Sequence, residues 1–333
     1  MEKILQSKWF VIIISVITIW VTLTEIKSCR HDSIPPFQSA KLNYWVPPSF
    51  FLEPVEPGEN RPMLIYGEEL IAHTANFIGP MGTVAALTNG MNCENCHLEA
   101  GAKPFGNNYS AVASTYPKFR ERSGSIETIE KRVNDCIERS LNGKPLDSNS
   151  REMQAIVAYI KWLGKHVQKG EKPMGSGITR LKFLDRPANP VAGKMVFLQN
   201  CQKCHGRNGE GLKDSVHVAY IYPPLWGEHS YNSGAGLYRL STFAGYVKDN
   251  MPFGTTDHFH PQLTDEEAWD VAAFVNSQPR PSMDLSKDWP DISAKPFDHP
   301  FGPYSDGFSE LQHKYGPFAP IKKAKDDLKK KSN

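Results

Sequence analysis

The chain has 333 residues, 40% of them apolar and 22% charged, with 38 basic against 36 acidic side chains. So even a charge excludes a nucleic-acid-coating protein, which carries a large basic excess, and so many apolar residues exclude a disordered tail protein. The 26 prolines and 25 glycines imply long wrapping connections around one or two ordinary cores.

In chain order, the first feature is an apolar run from Trp9 to Leu23, broken by Ser15, Thr18 and Thr22 and preceded by Lys3 and Lys8. A basic flank before such a run signals export, and its length is short of the roughly 20 residues of a comfortable membrane span. Ile26-Lys27-Ser28-Cys29 leaves three readings for residues 1–29: a cleaved signal peptide, a retained signal anchor, or a leader with a lipid on Cys29. All three place the remainder in the periplasm, and the last two tether it to a membrane. Residues 30–62 read as a proline-rich spacer or arm.

Residues 63–169 read as a first helical domain. A helix over Glu68–Ile78 puts Leu70, Ile71, Thr74 and Ile78 on one face. A second is expected to start at Ser125, with Glu127 and Glu130 at its positive end. Its stripe of Ile126, Ile129, Val133, Cys136, Ile137 and Leu141 stops at Asn142-Gly143. A third carries Met153, Ile156, Val157, Ile160 and Leu163 on one face.

After a linker at 170–189, residues 190–282 repeat the plan. A helix over Pro190–Leu198 leads to a cysteine-histidine loop, a proline-rich stretch and a helix near Ser241–Asp249. The closing helix opens on Thr264 with Glu267 three residues on, a capping box. Residues 283–321 read as a wrapping arm, and 322–333 as a basic, solvated tail. The expected fold is mainly α: two class-I-like cytochrome c domains in tandem with long proline-rich wrapping segments.

Six cysteines are too sparse for a disulfide framework in a chain of this length. Cys93-Glu94-Asn95-Cys96-His97 and Cys201-Gln202-Lys203-Cys204-His205 each match the c-type haem attachment pattern. Two thiols reach two vinyl groups on one porphyrin edge, and the adjacent imidazole turns under the iron. Two covalently attached haem c groups follow, with His97 and His205 as proximal ligands. Redox dithiols or a zinc site are the competing reading, but the βαβ setting of thioredoxin-like sites is missing.

Met251, in the loop between the middle and closing helices of the second half, is the candidate distal ligand there. In the first half Met153 lies inside a core stripe, whereas Cys136 occupies a helical face and has no attachment role. It is either a thiolate ligand that lowers that haem's potential or an inert core cysteine. Arg120, Arg122, Arg132 and Arg139 surround it in sequence. Guanidinium groups clamp oxyanions through paired hydrogen bonds, and they also bind haem propionates.

Asn89 to Tyr109, Tyr116-Pro117 to Arg122, Arg132 to Ser140 and Gln312 to Ile321 together resemble the dihaem thiosulfate dehydrogenases. That resemblance spans about Tyr66 to Ile321. It implies a catalytic haem held by His97 and Cys136, an electron-transfer haem held by His205 and Met251, and Arg122 and Arg132 as the substrate clamp. The implied reaction joins two thiosulfates into tetrathionate, in some members more readily in reverse, and passes electrons to a cytochrome c or quinone-linked carrier. Cys136 is then also implied to leave the iron and act covalently. Where some members carry a lysine immediately before the distal methionine, this chain has Asn250, with Lys248 nearby.

Two rivals remain. A non-enzymatic dihaem electron shuttle needs neither a buried cysteine nor an arginine cluster. A cytochrome subunit acting on carrier-bound sulfur needs a partner chain. Nothing in the sequence points to nucleic acid.

Overall fold

The computed structural model describes residues 44–54, 56–214 and 219–332. The leader read at residues 1–29, with Cys29, and the spacer as far as residue 43 lie outside them.

Helix α1 (Arg61–Ala72) opens at Asn60, whose side chain accepts from the Met63 amide, and Pro62 fits its first turn, where no intrahelical donor is needed. The chain breaks at His73 and resumes as α2 (Thr74–Ile78), so the single helix expected over Glu68–Ile78 is two. The Thr74 hydroxyl is the reason the join is firm. It donates back to the Leu70 carbonyl at 2.8 Å and accepts from the Cys93 amide at 2.9 Å, fixing the start of the first cysteine loop.

After α3 (Val112–Thr115) comes a hairpin of β1 (Lys118–Arg120) and β2 (Ser125–Glu127), with Phe119 opposite Ile126. The helix expected to begin at Ser125 therefore begins later, as α4 (Ile129–Arg139), with Thr128 as the capping residue that accepts from the Lys131 amide. Ser125 and Ile126 are drawn into cross-strand pairing instead. Helix α5 (Arg151–Leu163) is capped by Ser150 and buries Met153, Ile156, Val157, Ile160 and Leu163. It crosses α1 at Gly67, where a β-carbon would lie 2.1 Å from the Ala155 carbonyl oxygen.

The second half is built alike. Helix α6 (Pro190–Asn200) is capped by Asn189, α7 (Gln202–His205) carries the second cysteine loop, and α9 (Asp265–Ser277) starts with the Thr264–Glu267 capping box. Helices α6 and α9 cross at Gly193, where a β-carbon would lie 1.8 Å from the Asp270 carbonyl oxygen. In both halves a glycine lets two backbones touch next to a cysteine-histidine loop. Between them run a short ladder of β3 (Leu212–Lys213) with β4 (Tyr220–Tyr222) and helix α8 (Leu240–Asn250).

Two apolar cores result. Leu70, Ile71, Met91, Ile137, Met153 and Tyr159 are central to one, and Phe197, Phe243, Ala244, Trp269 and Ala272 to the other. The C-terminal segment joins the second core through α10 (Glu310–Tyr315) and α11 (Ala319–Ser332), with Phe318 and Ile321 buried there. The basic run from Lys322, expected as a solvated tail, continues α11 beyond Ile321 with Lys322, Lys323 and Lys330 exposed. Among the described residues no helix is long and apolar enough to cross a membrane.

Candidate functional site: two cysteine-histidine centres and a cationic cluster

In the second half, α7 delivers His205 with its Nδ1 2.8 Å from the Pro223 carbonyl oxygen. A carbonyl can only accept, so Nδ1 carries the proton and Nε2 keeps its lone pair for a metal. Cys201, Cys204 and His205 share a cavity of about 500 Å³ with Met251. Its remaining walls include Leu225, Leu237, Phe243, Val247, Val271 and Val275. An apolar slot with two thiols and an imidazole on one side and a thioether on its lining has the donor set of a c-type haem. Burial pushes the Cys201 thiol up to about 12, so it stays protonated at neutral pH.

Lys248 does not share that cavity. Its ammonium donates to the Leu263 carbonyl at 2.7 Å and pairs with Asp265 at 2.8 Å, so it is committed to the start of α9. Asn250 is fully buried, and its amide donates to the carbonyls of Tyr246 and of Phe105 in the first half.

The first centre uses the same device. His97 Nδ1 donates to the Asn107 carbonyl at 2.5 Å, again leaving Nε2 for iron, and burial lowers this imidazole to about 4, favouring the neutral ligand form. Burial raises the Cys93 and Cys96 thiols to about 11 and about 12, and Cys136 adds to both, which places it in the same small volume. Cys136 lies half-buried on α4. Arg132, one turn earlier, has its guanidinium held above the ordinary value, with Cys136 the largest cause. The first half therefore brings Cys93, Cys96, His97, Cys136 and Arg132 together, and the donor set again fits a haem.

The two centres adjoin. Met91, Cys96 and Leu98 contribute to the wall of the second cavity, and the buried Tyr246 hydroxyl donates to the Asn95 carbonyl, inside the first cysteine loop, at 3.2 Å.

Arg122 sits in the turn of the β1–β2 hairpin and is held from the arm. Its Nε donates to Asp288 at 2.8 Å, and Arg139 engages both oxygens of the same carboxylate at 2.8 and 2.9 Å. The Trp289 ring covers Arg122 with its centroid 4.7 Å away. Burial lowers the Arg122 guanidinium to about 10, with Arg139 and then Arg132 adding repulsion against the pull of Asp288. The contacts of Asp288 and Trp289 with this cationic cluster leave no trace in periodicity or motif, because no local signal marks a contact from an aperiodic arm to residues so far away in the chain.

Residues 83–168 match the SoxA/TsdA cytochrome c domain family, and residues 190–279 match the cytochrome c family. Proteins named thiosulfate dehydrogenase are similar over much of the chain. The one from Allochromatium vinosum is 40% identical over 58% of this chain and 71% of its own length. The one from Stutzerimonas stutzeri is 34% identical over 70% of this chain and 74% of its own.

The chain belongs to the thiosulfate dehydrogenase family.

A relative from Psychrobacter arcticus is 40% identical, and the match spans 62% of each chain. A solved structure titled thiosulfate dehydrogenase (TsdBA) from Marichromatium purpuratum superposes with a TM-score of 0.64 at 31% identity. The match covers 72% of this chain but only half of that one. Family membership makes the fold two cytochrome c domains in tandem carrying two covalently bound haem c groups. The Cys93–His97 motif lies within the first matched region and the Cys201–His205 motif within the second.

Proposed function

We propose that the protein is a thiosulfate dehydrogenase that joins the outer sulfurs of two thiosulfates into tetrathionate and delivers the two electrons released to an external carrier. One observation carries this reading: Arg132 and Cys136 stand one helical turn apart on α4, and Cys136 lies close enough to Cys93 and Cys96 to help hold both thiols up. A cation next to a sulfur donor suits a sulfur oxyanion, and a simple electron shuttle has no use for it.

When bound, the haems would supply one-electron acceptance; Cys136 would hold the first and Met251 the second, a thiolate giving a lower potential than a thioether. The chain does the rest. Arg122 and Arg132 offset the repulsion between two dianions and hold their oxygens by charge-assisted hydrogen bonds. Cys136 offers its sulfur beside the sulfurs to be joined. Nδ1 of each proximal histidine is pinned by a backbone carbonyl, which fixes the ring that faces the iron. Tyr246 links the first cysteine loop to the wall of the second cavity, and so holds the two centres at constant separation. The apolar run at Trp9–Leu23 supports a periplasmic location with an N-terminal tether, and a cytochrome c or quinone-linked carrier suits the one-electron output.

The test is thiosulfate oxidation by the purified holoprotein with ferricyanide or cytochrome c as acceptor, run beside tetrathionate reduction with a reduced dye. Turnover in at least one direction is expected. Its absence in both would leave the shuttle, and turnover only with a sulfur-carrier protein would leave the carrier-dependent subunit.

A further inference from the structure

We infer that Asp288 of the C-terminal arm is a positioning residue for the oxyanion site, acting through Arg122. The inference rests on the function proposed above and adds a residue to it.

A guanidinium has five N–H donors in a rigid fork. Arg139 spends its two terminal nitrogens on Asp288, bonding both carboxylate oxygens. Arg122 reaches the same carboxylate with Nε alone. Its two terminal nitrogens make no hydrogen bond to protein among the described residues. The arm therefore grips Arg122 from behind and leaves the end of the fork, the part that matches an oxyanion, available for one.

Other contacts tighten this grip. The Trp289 amide donates to the Arg122 carbonyl at 2.7 Å while its indole covers the guanidinium. Trp289 does so at φ +55°, a left-handed conformation that bulky residues rarely adopt, so the surrounding contacts must enforce it. The hairpin turn lies against the arm as well: a β-carbon on Gly124, itself at φ +63°, would be 2.9 Å from Pro290 Cγ. The carboxylate also bridges two cations that would otherwise repel each other. With Asp288 balancing Arg139, the positive charge of Arg122 and Arg132 is left over for a dianion.

A mere anchor for the arm would alter stability but not substrate affinity through Arg122. The experiment uses the full-length holoprotein with both haems. Asp288→Asn is expected to raise the KM for thiosulfate about tenfold, with kcat changed by less than about threefold, since one charge-assisted partner is lost behind the clamp. The Kd of tetrathionate for the fully ferric protein, measured by calorimetry where no electrons are available for turnover, should weaken to a similar degree. Asp288→Glu, which keeps the charge, should restore both to within about threefold of the parent. In an Arg122→Gln background, Asp288→Asn should add less than about twofold, because the path through Arg122 is already cut. Asp284→Asn, on the exposed part of the same arm, should change neither value.

If Asp288→Asn loses haem, Trp289→Phe carries the same test, with a KM rise of at least about threefold expected from the thinner cover over Arg122. KM and Kd unchanged in these variants, or an equal Asp288→Asn effect with and without Arg122, overturn the inference while leaving the enzyme reading intact. A parent protein with no turnover in either direction overturns the enzyme reading first.

Discussion

The side-chain amide of Asn250 donates to the main-chain carbonyl of Phe105 at 3.1 Å. That bond ties the residue immediately before Met251 to the loop following His97, so the Met251 side of one centre is registered against the His97 side of the other. A second bond from the same amide closes on the Tyr246 carbonyl, and the side chain is wholly buried.

Replacing Asn250 by alanine leaves the Phe105 carbonyl without this donor inside the protein. A buried group left unpaired costs about 1–3 kcal/mol. Asn250→Ala should lower the denaturation midpoint of the ferric holoprotein accordingly, with both haems still attached. A midpoint identical to the parent would show that the interdomain bond contributes nothing.

Cys136→Met tests the sulfur chemistry. Methionine matches the site in hydrophobicity and can still ligate iron, but it has no ionisable thiol. Haem content, read as the pyridine haemochrome, should stay at two per chain, while thiosulfate turnover falls at least about a hundredfold, the scale expected when a nucleophile is removed. Parent-like turnover with methionine at this position would show that the reaction needs no thiol from Cys136.

What the sequence discloses follows from the range of the interactions. The two attachment motifs and the Thr264–Glu267 capping box are local, each satisfied within a few residues, and all are legible. The start of α4 is not: Ser125 carries a helix-start signal, yet the pairing of Ile126 with Phe119 takes that stretch into a hairpin, and Thr128 caps the helix instead. The arginines around Cys136 are visible as a cluster, but the difference between Arg122 and Arg139 is set by Asp288, 166 and 149 residues away respectively. Contacts of that range inside a proline-rich arm leave no periodic trace. The basic run after Ile321 is exposed, as its charge implies, but that it is helical and begins at a buried isoleucine of the second core has no local signal.

Gly193→Ala tests the α6–α9 crossing. A methyl there would meet the Asp270 carbonyl oxygen at 1.8 Å, and backbone cannot yield as a side-chain tip can. The helices must part, at a cost of about 3 kcal/mol or more, the upper end of overpacking penalties. The crossing holds the second cysteine loop against its core, so the variant should mature with the first haem but less of the second. Normal yield of a doubly loaded protein, with an unchanged melting temperature, would contradict the geometry.

His299 predicts an acid limb in the stability profile. It is 2% exposed, touches Trp289 and Phe301, and its Nδ1 has no hydrogen-bond partner. Burial, with Arg122, Lys295, Arg239 and Arg139 adding repulsion, lowers the imidazole to about 2. Above the ordinary value near 6.5 both folded and unfolded chains hold it neutral. Between that value and about 2 the unfolded chain binds a proton that the folded one refuses, so stability falls as pH falls, by up to about 1.4 kcal/mol per pH unit. Carboxylates add their own slope below about pH 4, which makes pH 6 to 4.5 the useful window. Across it, His299→Gln, which cannot titrate, should show a shallower loss of denaturation midpoint than the parent, whatever its absolute stability. Parallel slopes for the two proteins would mean that His299 takes up its proton within the folded arm.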